Sequence, residues 1–97
     1  MIRARIIVSG SVQEVGYRAH VARIAQSIEM NGIVRNMDDG RVEIFCSSES
    51  KEKIEEFIKK ISIPEFMIII EKTEIFYEGE EGFESHPHHD NKFAVGY

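Results

Sequence analysis

Residues Ser9 to Arg18 read S-G-S-V-Q-E-V-G-Y-R. Two glycines and a closing arginine lie between an apolar run, Ile6-Ile7-Val8, and a helical pattern that starts near Tyr17. That order predicts a short strand-to-helix turn. The first N–H groups of a helix have no partner inside it, and the helix dipole favours negative charge at that end. Such a turn is an anion cradle in waiting. Arg18 adds a planar cationic fork shaped for phosphate or carboxylate. The same residues also describe a plain strand–helix connection with a solvated arginine, so the choice between the two needs further residues.

Asn36 is the second residue of interest. It closes a short β-rich run, Ile33-Val34-Arg35-Asn36, just ahead of the Asp-Gly turn at Met37-Asp38-Asp39-Gly40. An arginine-ended cradle with a neutral amide beside it suits phosphoryl transfer: the donors hold the phosphoryl oxygens and the amide orients a water for in-line attack. No nucleophile–base pair stands out, and a covalent intermediate would need one. His20 falls in the first helical turn and reads as a partly solvated helix residue. Cys46 sits in a strand pattern with Val42 and Ile44 and reads as a small core residue. His86, His88, His89 and Asp90 have the chemistry of zinc or nickel ligands. Their spacing matches no strong template, so adventitious binding is expected there rather than a metal site.

Charge divides the chain. Residues 1–45 hold all six arginines against five acids (6 − 5 = +1), and residues 46–97 hold all six lysines against twelve acids (6 − 12 = −6), for a total of −5. Planar, bidentate recognition of oxyanions favours arginine, which directs the search for a site to the first half. The acidic total argues against nucleic acid as a partner, because such binders need a basic face to release counterions. No window is long and apolar enough to span a membrane, and Met1-Ile2-Arg3-Ala4-Arg5 lacks the apolar core of a signal peptide. A lone cysteine forms no internal disulfide, in keeping with a reducing compartment. The expectation is a cytoplasmic monomer of one domain, residues 1–97, with no membrane partner.

The positioning elements follow from periodicity. Arg3 to Ser9 alternates, with Ala4, Ile6 and Val8 on a core face. Tyr17, Val21, Ile24, Ala25 and Ile28 recur at helical spacing, so Arg18 to Met30 reads as an amphipathic helix stopped by Asn31-Gly32. The runs on either side of the Asp-Gly turn form a hairpin whose return strand is Arg41 to Ser47. Ser48 or Ser50 caps a helix from Lys51 to Ile61, with Ile54, Phe57, Ile58 and Ile61 inward. Phe66 to Tyr77 is a β-rich run whose broken alternation points either to a bulge or to burial on both faces. Glu78 to Asn91 reads as a loop, and Phe93 to Tyr97 as a closing strand. The fold class is α+β. The order β-α-β-β-α-β is the ferredoxin-like plan, a mainly antiparallel sheet with two helices on one face, here with a short extra C-terminal strand. In that plan the first strand is central with the hairpin strands as its neighbours, which is how Asn36 would come near the cradle.

These segments carry a resemblance. Val8-Ser9-Gly10-Ser11-Val12-Gln13-Glu14-Val15-Gly16-Tyr17-Arg18 resembles the acylphosphatase signature V-x-G-x-V-Q-G-V-G-[FY]-R. Gly32 to Glu43, G-I-V-R-N-M-D-D-G-R-V-E, is similar to that family's second signature, G-[WY]-V-[RK]-N-x-x-D-G-x-V-E. The ending F-A-V-G-Y resembles the closing F-x-[IV]-x-Y strand. The resemblance implies hydrolysis of small acyl phosphates to a carboxylate and inorganic phosphate, without metal, cofactor or covalent intermediate. It implies that Arg18 and the backbone N–H groups of Gln13, Glu14, Val15, Gly16, Tyr17 and Arg18 bind the phosphoryl group, and that Asn36 orients the water.

Glu14 departs from the pattern, which has glycine there. Glutamate is strained at positive φ, and it puts negative charge beside an anion site. At roughly 7 Å and an effective dielectric near 20, each unit of substrate charge is opposed by on the order of 2 kcal/mol, less when the carboxylate is solvated. The expectation is a weakened enzyme. The alternative is a non-catalytic anion-binding domain in which Glu14 suppresses turnover.

Overall fold

A computed structural model describes residues 1–65, 67–85 and 92–96. The elements run β1 (Ile2–Ser11), α1 (Tyr17–Ser27), β2 (Asn31–Asn36), β3 (Val42–Ser48), α2 (Lys51–Ile61), β4 (Ile69–Tyr77) and β5 (Phe93–Val95). The sheet order is β4-β1-β3-β2-β5. All neighbours are antiparallel except β2 and β5. This is the α+β ferredoxin-like plan with a fifth strand added at the β2 edge. Because β1 and β2 each run antiparallel to β3, they run in the same direction, and β5 runs with them. The C-terminal ends of all three strands therefore share one end of the sheet, together with the start of α1.

The core lies between the sheet and the helices. Ala4, Ile6 and Val8 of β1 meet Val34 of β2 and Val42, Ile44 and Cys46 of β3, all fully buried or nearly so. Tyr17, Val21 and Ala25 come down from α1, and Ile54, Phe57 and Ile61 from α2. Ser50 caps α2, its Oγ accepting from the Lys53 N–H at 3.2 Å. Burial pushes the Cys46 thiol up to about 12, so this side chain is a core group and no thiolate. Among the described residues no helix is long and apolar enough to cross a membrane.

Two expectations need correction. Of the two hairpin strands β3 alone neighbours β1; β2 is one strand further out, so Asn36 does not adjoin the first strand. α1 stops earlier than Asn31-Gly32: Glu29, at φ 56°, takes the left-handed position, its N–H donating to Gln26 and that of Met30 to Ala25 in a Schellman closure. Gly32 instead lies inside β2, where a Cβ would run into the Phe45 carbonyl. Of the two readings left open for the broken alternation before Tyr77, the register gives the bulge: Ser9 pairs with Lys72 and Gly10 with Ile70, leaving Glu71 as the extra residue.

The second face of the sheet, away from the helices, is covered as well. Ile7, Glu43, Phe45 and Ser47 are buried there, each under 5% exposed. Residues 78–85 cross over them: Phe83 packs edge-on against Phe45 at 6.2 Å, and Arg5 donates to the Gly82 carbonyl at 2.9 Å. Beneath lies a buried carboxylate. Glu43 takes Arg5 on one oxygen at 2.7 Å and Arg35 on the other at 2.6 Å. An ion kept from water needs such pairing on both oxygens, because desolvation alone costs it several kcal/mol. The triad ties β1, β3 and β2 side by side.

Candidate active site at the strand–helix turn

Between the end of β1 and the start of α1, residues 12–16 turn back on themselves. Val12 is buried in the core, and Val15 packs against it from the rim. These two apolar side chains hold the turn against the protein while Glu14, between them, faces outward. Glu14 is at φ 60° and Gly16 at φ 80°, both left-handed. Two reversals this close together direct successive N–H groups into one concavity, the geometry of an anion-binding nest. Among the described residues, the backbone N–H groups of Gln13, Glu14, Val15 and Gly16 donate to no acceptor. Gly16 caps α1 without any side-chain acceptor, so the first turn of that helix also points its N–H groups outward.

Arg18 lies at the edge of a hollow of about 250 Å³ whose walls are Val12, Glu14, Gly16, Tyr17, Arg18, Ala19 and Val95. Its guanidinium is half-buried and donates to the Gly96 carbonyl at 2.7 Å. Gly96 in turn donates from its N–H to Val34 of β2 at 2.7 Å. The arginine is thus fixed in place by the extra strand, and its fork is held at the turn instead of swinging free in solvent.

Asn36 ends β2 at the same end of the sheet. It lines a second hollow, of about 270 Å³, with Arg35, Met37, Asp38 and Asp39. Its Oδ1 is shielded from water and has no hydrogen-bond partner among the described residues. A buried carbonyl oxygen left this way costs about 1–3 kcal/mol, so an unsatisfied one marks a place where a water or ligand donor belongs. The link between the two hollows is Gln13. Its Nε2 donates to the Met37 carbonyl at 2.7 Å and to the Arg41 carbonyl at 2.9 Å, fastening the strand–helix turn to the hairpin turn.

The residues expected from the sequence therefore split into several roles. Arg18, Gly16 and the turn backbone come together as expected, and Asn36 reaches the same end of the sheet through the hairpin turn. The Gln13 side chain is a brace, leaving only its N–H for an anion. Tyr17 contributes no phenol: the ring is buried, its hydroxyl donates to the Ile61 carbonyl at 2.9 Å, and burial pushes its pKa far up. Glu14 takes the strained conformation anticipated for it, with its side chain exposed. Among the described residues no cluster of His, Cys, Asp or Glu is arranged to hold a metal ion. His86, His88, His89 and Asp90 lie outside the described residues. Sequence reasoning missed the Arg5–Glu43–Arg35 triad. Its signal was present, because the Asp-Gly turn sets Arg35 directly across from Glu43.

A two-helix, ferredoxin-like sheet, with an arginine held where its first strand enters its first helix, defines the class of small α+β protein to which this chain belongs. The acylphosphatase family model matches residues 4–90. Among its relatives, an acylphosphatase of Caldivirga maquilingensis is 34% identical over 83 residues, covering 84% of this chain and 87% of that protein. One of Natronomonas pharaonis is 37% identical over 86 residues, with 86% and 92% covered. The crystal structure of acylphosphatase from Bacillus subtilis superposes over the full length of both chains with a TM-score of 0.83 at 31% identity. The chain belongs to the acylphosphatase family and is an enzyme of that kind.

Proposed function

We propose that the protein hydrolyses the carboxyl–phosphate bond of small acyl phosphates, with the phosphoryl group in the 13–18 turn and the attacking water on Asn36. The observation that carries this reading is the placement of unpaired N–H groups, a pinned Arg18 and the unsatisfied Asn36 Oδ1 at one end of the sheet.

The chemistry asks little of the protein beyond position and charge. The turn N–H groups and Arg18 hold the non-bridging phosphoryl oxygens, leaving the bond to the acyl oxygen directed away from the turn. Asn36 Oδ1 accepts from a water and aligns it in line with that bond. As the new P–O bond forms, the acyl P–O bond breaks, and the electron pair leaves on a carboxylate, which is stable without protonation. The water's proton passes to a phosphoryl oxygen, yielding inorganic phosphate. Donors that meet charge building in the transition state raise kcat and not affinity alone.

Hydrolysis of benzoyl phosphate, followed by loss of its ultraviolet absorbance, tests this reading. Wild-type protein turns over, and Arg18→Ala and Asn36→Ala each lose on the order of 10²–10³ in kcat/KM while keeping the native circular dichroism spectrum. A folded wild type with no turnover, or an Asn36→Ala variant with full activity, refutes the assignment. The protein is proposed to act as a monomer in the cytoplasm without a cofactor.

A further inference from the structure

The buried carboxylate on the second face of the sheet reaches the candidate site through one residue. Arg35 stands directly across from Glu43 in the β2–β3 ladder, and its Nε donates to Glu43 Oε1 at 2.6 Å. Glu43 is 1% exposed, and Arg5 of β1 holds its other oxygen at 2.7 Å. The anchor is therefore rooted in two interior strands of the sheet, β1 and β3. Arg35 also lines the hollow of Asn36, its neighbour in sequence.

That end of β2 needs an anchor. The pairs with β5 stop at Val34, so Arg35 and Asn36 overhang the short strand and are laddered to β3 alone. The side-chain bond from Arg35 adds a second tie, one residue before Asn36. Opposite charges shielded from water add little net stability, because desolvation offsets their attraction, but their short charge-assisted bonds fix direction. The stem of Arg35 reaches the other half of the site as well. A Cβ on Gly96 would come within 3.2 Å of Arg35 Cβ, so the residue whose carbonyl receives Arg18 lies against that stem. We infer that Arg35, held by Glu43, is a positioning residue for the hydrolysis: it fixes Asn36, and with it the attacking water, relative to Arg18. This rests on the acyl phosphate reading above and adds a residue to it.

The two arginines on Glu43 supply the test, because only one of them adjoins Asn36. With benzoyl phosphate as substrate, Arg35→Met keeps the stem against Gly96, loses the guanidinium and lowers kcat about tenfold. The inhibition constant of inorganic phosphate stays within about twofold, since Arg18 keeps its seat. Arg35→Lys returns a charge to Glu43 without the planar fork and lowers kcat about threefold, so the role is read even where the methionine variant does not fold. Arg5→Met removes the other bond to the same carboxylate and leaves kcat within about twofold of wild type. In an Asn36→Ala background neither change at Arg35 lowers kcat further, because the residue it aims is gone. Wild-type kcat in both Arg35 variants, an equal loss in Arg5→Met, or an undiminished loss without Asn36 overturns the positioning role. A wild type with no turnover refutes the acyl phosphate reading and this role with it, whereas turnover with these ratios unmet refutes the positioning role alone.

Discussion

Two turns meet at the candidate site, and each carries a non-helical residue at positive φ. In the hairpin turn that residue is Gly40, at φ 97°; in the strand–helix turn Gly16, at φ 80°, is joined by Glu14, at φ 60°. Glycine adopts such angles freely, whereas a residue with a Cβ is strained there by about 1–2 kcal/mol. The hairpin turn has the residue its backbone demands and is closed on itself, Met37 donating to the Arg41 carbonyl and Gly40 to that of Met37. The strand–helix turn has glutamate at 14 where its backbone favours glycine, and among the described residues it leaves four N–H groups without acceptors. One turn is closed by its own hydrogen bonds, and the other is left open toward the proposed phosphoryl site.

The largest effect that tests this contrast comes from the arginines flanking the turns. Arg18 faces the open turn, while Arg41 spends its guanidinium on Asp39 at 2.7 Å within its own turn. Arg18→Ala reduces kcat/KM on the order of 10²–10³, and Arg41→Ala changes it by about twofold or less. Comparable losses from both would erase the distinction between a binding turn and a structural one.

Next comes the brace. Gln13→Ala removes two hydrogen bonds that couple the turns, lowering stability by about 1–3 kcal/mol in urea unfolding. The same change loosens Arg18 relative to Asn36, so kcat falls by about tenfold with KM for acyl phosphate moving less. A variant with lowered stability and unaltered kcat would show that the turns need no coupling.

Much of this was legible beforehand because it is local. The helix stripe of α2, the Asp-Gly hairpin and the inward Val42, Ile44 and Cys46 follow from periods of 3.6 and 2 with turn chemistry between them. The turn at Gly10–Arg18 was equally readable, since glycine spacing and a following helix suffice to define it. What escaped was set by distant partners. That Gln13 is a brace depends on carbonyls 24 and 28 residues away. Burial of the second sheet face depends on residues 78–85 folding back over β3, which no alternation within the strands announces. The early stop of α1 at Glu29 is tertiary as well: burial of Met30 favours a Schellman closure over waiting for the glycine at 32.

A pair of substitutions at positive φ sharpens the comparison with effects of opposite sign. Glu14→Gly relieves strain, net of added freedom in the unfolded chain, and stabilises by about 0.5–1 kcal/mol. It also withdraws a carboxylate from the anion turn, raising phosphate affinity and kcat/KM by about two- to fivefold, since the exposed charge is well screened. Gly40→Ala introduces strain, destabilises by about 1 kcal/mol and leaves kcat/KM as it was. Should Glu14→Gly lower both affinity and rate, the glutamate has a role at the site that its charge and angle do not reveal.

The smallest effect belongs to the hairpin turn alone. Hydrogen bonds from the Arg41 side chain, then from its backbone N–H, hold the Asp39 carboxyl below its usual value. A carboxyl whose folded value is lowered stabilises the fold fully above its unfolded value, and that contribution disappears as pH falls through the lowered one. Asp39→Asn therefore lowers the urea midpoint slightly near neutral pH, and the gap to wild type closes as the pH falls through the lowered value of the carboxyl. The side chain is fully exposed, so water and salt screen most of the interaction. Activity at neutral pH stays level in this variant, because Asn36 is positioned by the ladder to β3 and by the Gln13 brace, neither of which involves the Asp39 carboxylate. An activity loss larger than the stability loss would mean that the closed turn also tunes the open one.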